Sequence, residues 1–339
     1  MRNPLDALLT TQPAVVLDGA LATELERRGA DLCDPLWSAK YLIEQPELIR
    51  AVHLDYFKAG ADVATTATYQ ATYEAFLRRG IGSAAATQLM VEAVALACEA
   101  REEFWNAPAG GVPTHRDLTP RGTAHRESPG HHRTHGDRLR PLVAASIGPY
   151  GAMLADGSEY RGRYTIRDEG LRDFHRPRLQ ALAEAGADLF AFETIPCLRE
   201  ALVLARLLEE LPAMSAWLGF SCQDGMRNCE GEDVGACAAA LQPFAQITAI
   251  GVNCTPPQYV SSLLRRMARH TDKPLLAYPN SGERYDATHK TWAGSEAAIP
   301  FADQSLSWYA AGARLIGGCC RTTPKDIAGL RHALLRPKR

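Results

Sequence analysis

No run of 18 or more apolar residues occurs anywhere in the chain, so no membrane-spanning helix is expected. A charge of one sign is also missing. The 37 Lys and Arg against 39 Asp and Glu leave a net charge of −2, which excludes the broad basic footprint of a nucleic-acid binder. The first residues, Met1 to Leu9, carry Asp6 and lack a long apolar core with a cleavage site, so no secretory signal is expected. No Gly-rich phosphate turn follows an early strand pattern, which speaks against an open dinucleotide-binding sheet. The nine cysteines form no short-domain disulfide framework. An odd number spread over a chain of this length fits a reducing cytoplasm, with thiols as core residues or metal ligands.

What is present is ordinary globular composition, 46% hydrophobic and 22% charged over 339 residues, enough for a sizeable α/β core. Short β-rich apolar runs fall at 14–17, 62–66, 142–147, 189–193, 216–221, 247–253, 274–278 and 314–317. Segments with helical spacing of apolar residues lie between them, at 48–59, 84–104, 171–185, 201–211, 259–268 and 327–335. Gly60, Gly186 and Gly312 each stand where a left-handed helix cap would hand over to the next strand. Eight such units with continuously apolar strands predict a single-domain α/β fold, a TIM-type (β/α)8 barrel spanning 1–339. A doubly wound open sheet is the alternative. Residues 106–140 interrupt the pattern with six Arg, five His and three acidic residues. His115, His125, His131, His132 and His135 have no zinc-finger spacing with cysteine, so the segment reads as a disordered surface insertion.

In such a barrel the C-terminal strand ends share one mouth, where active sites form. Asp18 follows the first strand, Thr66 and Thr68 end the second, and Glu193 ends the fourth. Cys254 follows the sixth, Asn280 the seventh, and Cys319 and Cys320 the eighth. Asp18 precedes a Gly and could simply be a turn residue. Glu193 ends an apolar strand, and a carboxylate is costly to bury there without a partner, so it is a candidate ligand for a cationic group. Cys33, Cys98, Cys197 and Cys237 read as small buried hydrophobes, and Cys222 and Cys229 as mainly structural. Cys254, Cys319 and Cys320 differ. Three thiolates delivered from strand ends make most of a tetrahedral zinc site with one open position. The Gly317-Gly318 pair allows the chain to turn both following sulfurs to one point. A redox disulfide and plain packing remain the alternatives on spacing alone.

Six stretches together resemble the homocysteine S-methyltransferases, most closely the type that uses S-methylmethionine. They are Leu17-Asp18-Gly19-Ala20-Leu21-Ala22-Thr23-Glu24-Leu25, Ser146-Ile147-Gly148-Pro149-Tyr150-Gly151 and Gly157-Ser158-Glu159-Tyr160-Arg161-Gly162, then Gly251-Val252-Asn253-Cys254, Tyr278-Pro279-Asn280-Ser281-Gly282-Glu283 and Gly318-Cys319-Cys320-Arg321-Thr322-Thr323-Pro324. The likeness covers nearly the whole chain except 106–140. It implies a (β/α)8 barrel and one Zn2+ per chain held by Cys254, Cys319 and Cys320. It also implies that Glu193 receives the amino group of homocysteine in a pocket lined by Asp18. Thr66, Asn253 and Tyr160 complete the expected substrate-binding set; Tyr160 and Glu159, in the loop after strand three, either seat a cationic donor or pack the loop. No catalytic side chain is expected beyond the zinc-activated thiolate of the substrate itself. The implied reaction is methyl transfer from a sulfonium, S-methylmethionine or S-adenosylmethionine, to homocysteine, giving methionine in the cytoplasm. A zinc hydrolase would favour His or carboxylate ligands with a general base nearby, and no His-rich motif lies at a strand end; a metal-stabilised scaffold would need a fourth protein ligand, and no strand-end residue is marked as one. No nucleic acid or membrane partner is expected.

Overall fold

In the computed structural model, residues 3–32, 34, 36–107, 138–286, 291–293 and 299–335 are described. Eight parallel strands form the central sheet: β1 Val15–Val16, β2 Val63–Thr65, β3 Leu142–Ile147, β4 Leu189–Ile195, β5 Ala216–Phe220, β6 Ile247–Asn253, β7 Leu275–Tyr278 and β8 Ala313–Ile316. They pair in sequence order from β2 to β8, and β1 joins β8. A parallel bridge from Leu17 to Val63 connects the two ends. The sheet is therefore a nearly closed α/β barrel of one domain, as the strand pattern predicts.

The period-two alternation of each strand divides the core in two. Val15, Leu17, Leu189, Ala191 and Leu315 point into the barrel around the wholly buried Trp217. Val16, Phe190, Phe192, Ile250 and Val252 point outward, under the helices. Side chains that are fully buried in this way each contribute roughly 1.5–3 kcal/mol. The short helix Leu5–Thr11 supplies Leu5 and Leu8 to the inner cluster. It lies outside the expected helices because its apolar residues number too few to show a period. Gly60, Gly186 and Gly312 have φ of 111°, 87° and 111°, so the caps before β2, β4 and β8 form as their sequence signals.

Of the expected insertion, residues 108–137 lie outside the described residues, as does Cys33. The flanks are ordered more tightly than the composition implies. Helix Ser83–Asn106 runs up to the boundary. Arg138 stacks 4.8 Å from the Phe104 ring and donates to the carbonyl of Ala61, so 138–140 belong to the folded body.

Candidate active site

Glu193 shares the inward parity of Leu189 and Ala191 and so points into the mouth. Ser146, inward on β3 beside it, donates to Glu193 Oε1. Tyr278, at the end of β7, adds a second hydrogen bond and is itself held by Trp217 Nε1 at 3.0 Å. Burial pushes the Glu193 carboxyl up to about 7 against those two hydrogen bonds. Asp18 is equally enclosed. It accepts from the Thr65 amide at 2.7 Å and from the Thr65 hydroxyl at 3.1 Å. Burial, joined by the charge of Glu193, still holds its carboxyl well above the ordinary carboxylate range. Both carboxyls are thus enclosed at the mouth, where a cationic group would offset the cost of burying their charge.

The sulfurs arrive by a different device. Cys254 follows β6 at outward parity, yet its sulfur faces the mouth because its backbone is left-handed, with φ 47°. Its amide is tied to the Tyr278 carbonyl at 3.2 Å. Thr194, near the end of β4 two strands away, is also left-handed, with φ 61°, an outlier for a β-branched residue. Asn253 holds it there: its Oδ1 accepts from the Thr194 amide at 2.7 Å and its Nδ2 donates to Thr194 Oγ1 at 2.9 Å. After β8 the chain passes so close to β1 that a Cβ on Gly317 would lie 2.7 Å from the Asp18 carbonyl oxygen. One on Gly318 would meet Thr322 Oγ1 at 2.3 Å, so both positions require glycine. The turn is pinned by the Cys319 amide on the Pro279 carbonyl at 2.8 Å and by Thr322 Oγ1 on the Cys319 carbonyl at 2.6 Å.

Cys254, Cys319 and Cys320 thereby bring three sulfurs within 4.8 Å of one another. The Cys254–Cys320 and Cys319–Cys320 separations are 3.6 and 3.9 Å. A tetrahedral ion with Zn–S bonds of about 2.3 Å sets its ligands ~3.8 Å apart, whereas a disulfide needs about 2.05 Å. The donor set therefore fits a thiophilic metal, and all eight described cysteines are free. Hydrogen bonds from the other two thiols hold Cys254 well below the usual thiol range, while Cys319 and Cys320 are raised in turn.

These groups share one cavity of about 290 Å³. Asp18, Thr66, Tyr160, Glu193 and the three cysteines all line it. Thr66 spends its hydroxyl on Thr68 Oγ1 at 2.6 Å and on the Ser146 amide at 3.1 Å. Tyr160 brings its hydroxyl to 3.1 Å from Cys254 Sγ, so its polar end faces the sulfurs. Asn253 requires a correction. It is wholly buried and absent from the cavity wall, because both ends of its amide are engaged by Thr194; it positions the strand end and does not meet a ligand. Sequence reasoning missed Ser146, Tyr278, Thr65 and the aromatic wall of Trp37 and Tyr69, whose rings meet edge-on at 6.0 Å. Only strand parity carried a signal for Ser146.

Behind the cavity wall runs a buried polar chain. Arg178 donates to the Gly148 carbonyl and to His175 Nδ1, the latter at 2.7 Å. His175 Nε2 meets Glu200 Oε1 at 2.8 Å, and that oxygen also accepts from the Tyr150 amide at 2.6 Å. The imidazole is neutral, since burial and Arg178 hold its pKa well below the ordinary value. The chain grips Gly148-Pro149-Tyr150, from which the segment carrying Glu159 and Tyr160 departs.

Fold and site define a single-domain barrel whose mouth joins a three-thiol cluster fit for a metal to two enclosed carboxyls. Residues 15–334 match the family model described as homocysteine S-methyltransferase, and the chain belongs to that family of methyltransferases. It is 49% identical over 325 residues to the homocysteine S-methyltransferase YbgG of Bacillus subtilis (strain 168), covering 96% of each chain. It is 42% identical over 339 residues to the selenocysteine Se-methyltransferase of Brassica oleracea var. italica, covering 97% of this chain and 91% of that relative. Among solved structures, the metallated form of the homocysteine methyltransferase MmuM from Escherichia coli superposes with a TM-score of 0.81 at 43% identity, covering 97% of this chain and 99% of that one.

Proposed function

We propose that the protein transfers a methyl group from S-methylmethionine to homocysteine, giving methionine, with one zinc ion held by Cys254, Cys319 and Cys320. The observation that carries this reading is the trio of sulfurs at tetrahedral-edge separations in the same cavity as the Asp18–Glu193 receptor. Bound there, zinc supplies the divalent charge that lowers the pKa of an incoming thiol and keeps its sulfur a thiolate. Glu193 and Asp18 receive the acceptor's ammonium, which relieves both their burial and their mutual repulsion. This fixes the acceptor sulfur on the cysteine side of the cavity.

The donor is read from the lining. Among the described residues, six carboxylates and no Lys, Arg or His line the cavity, which suits a sulfonium and opposes an anionic methyl carrier. Tyr160, Tyr69 and Trp37 add aromatic faces for the same cation. A volume of about 290 Å³ is at the small end for ligand sites. Since it holds both reactants, it favours S-methylmethionine over the bulkier S-adenosylmethionine. No helix among the described residues is long and apolar enough to cross a membrane, and the free thiols suit a cytoplasmic setting.

The test is methionine formation with each donor, on zinc-loaded and chelated protein. Turnover should require the metal and be faster with S-methylmethionine. Equal turnover after complete zinc removal would refute the reading.

A further inference from the structure

Both reactants of the proposed transfer are α-amino acids, and each brings a carboxylate to the cavity. Among the described residues, six acids and no cation line it, so an entering carboxylate is repelled unless a cation stands at the edge. The acceptor's ammonium is assigned to Asp18 and Glu193. The head of the donor therefore has to be held elsewhere on the wall. Thr23 and Glu26, three residues apart on the helix Leu21–Arg27, both line the cavity and share one helix face.

Arg321 is docked against that face. It directly follows the wall residue Cys320, and its amide donates to Thr23 Oγ1 at 3.0 Å. Its backbone is left-handed, with φ 69°, a costly conformation for a residue with a Cβ. Its side chain runs toward Glu26. Nε donates to Glu283, while Nη1 lies 3.6 Å from Glu26 Oε2, beyond hydrogen-bond reach. Among the described residues, neither terminal nitrogen of Arg321 has a hydrogen bond. The two side chains are 36% and 42% exposed, so both charges are reachable from solvent. An open, exposed ion pair adds little stability, which does not account for the strained backbone that sets it there.

We propose that Glu26 and Arg321 form the receptor for the amino-acid head of the methyl donor. The terminal nitrogens of Arg321 take the α-carboxylate and Glu26 takes the α-ammonium. The inference rests on the reading of a sulfonium amino acid as donor. A guanidinium edge matches a carboxylate with two parallel hydrogen bonds. An acid standing 3.6 Å from that edge matches an ammonium attached one carbon away from the carboxylate. Held by both charges, the head is oriented at the rim and the sulfonium is directed inward, toward the three sulfurs.

The test compares donors in methionine formation by the zinc-loaded full chain at saturating homocysteine. The donors are S-methylmethionine, its carboxamide, which lacks the carboxylate, and dimethylsulfoniopropionate, which lacks the ammonium. For the wild type, kcat/KM should be roughly 10–100-fold higher with S-methylmethionine than with the carboxamide. Arg321→Ala should lower the S-methylmethionine value by a similar factor and leave the carboxamide value nearly unchanged, because the group it met is already gone. Glu26→Gln should in the same way lose S-methylmethionine turnover and spare dimethylsulfoniopropionate. Zinc content and the Michaelis constant for homocysteine should hold in both variants. Equal use of S-methylmethionine and its carboxamide by the wild type would overturn the receptor. So would an Arg321→Ala loss of the same size with both. A zinc-loaded wild type that forms no methionine from any of the three would instead overturn the donor reading beneath it.

Discussion

The two sides of the cavity are built by different means. The sulfur side, at the ends of β6 and β8, is set by backbone. A left-handed Cys254, two glycines pressed against β1 and Thr322, and main-chain hydrogen bonds to Pro279 and Tyr278 aim the thiols. The carboxylate side, at the ends of β1, β3 and β4, is set by side chains. Thr65, Ser146 and Tyr278 hold the two acids, and the Arg178–His175–Glu200 chain holds the adjoining loop. Backbone devices suit soft ligands that must meet at one point. Side-chain networks suit acids whose proton affinity must be tuned, because each added donor or burial step moves it.

The comparison can be broken one side at a time. The largest effect is expected from Cys254→Ser, which removes a ligand but leaves the carboxylates. Zinc content measured by elemental analysis should fall below one per chain. Methyl transfer should drop by more than about 100-fold, beyond the ~10–100-fold that loss of an outer partner of a metal ligand costs. Next is Glu200→Leu, which leaves the buried Arg178 without its charge partner. Denaturant unfolding should show a loss of about 3–5 kcal/mol, with zinc stoichiometry unchanged in the protein that remains folded. Glu193→Gln sharpens the contrast from within the cavity. The Michaelis constant for homocysteine should rise roughly 10–100-fold, as for a lost charge-assisted hydrogen bond of about 1.5–3 kcal/mol, while zinc binding stays intact. An unchanged constant would sever Glu193 from the acceptor's ammonium.

The smallest effect is on stability against pH. The Glu200 carboxyl, raised by burial to about 7 when folded, titrates near 4.3 when unfolded. Its contribution is therefore full below the unfolded value and declines as pH rises toward 7. Scanning calorimetry of metal-free protein should show a melting temperature that falls across this window, and Glu200→Gln should flatten the fall. A Glu200→Gln protein with an unaltered slope would place the titration elsewhere.

The same contrast explains what was legible in the sequence. The sulfur side is local: Gly-Gly-Cys-Cys after an apolar strand carries both the turn and its ligands, and Gly-Val-Asn-Cys ends a second strand. The barrel was legible too, since strand parity and glycine caps are short-range signals. Glu193 could be marked as a costly carboxylate, but its partners Ser146 and Tyr278 come from other strands and share no motif with it. Asn253 was misread for the same reason. Beside a ligand cysteine it resembles a pocket residue, whereas its work is to hold Thr194, 59 residues away, in a left-handed backbone. His175 and Glu200 sit on helices, where a buried titratable group looks like a surface one until the third element is placed over it.

The central claim is that the three sulfurs hold one ion whose remaining position takes the sulfur of the acceptor. Zinc K-edge X-ray absorption on the loaded protein, with and without L-homocysteine, tests it most directly. The expected result is three sulfur neighbours at about 2.3 Å, becoming four when homocysteine is added. A sulfur count unchanged by saturating homocysteine would contradict it.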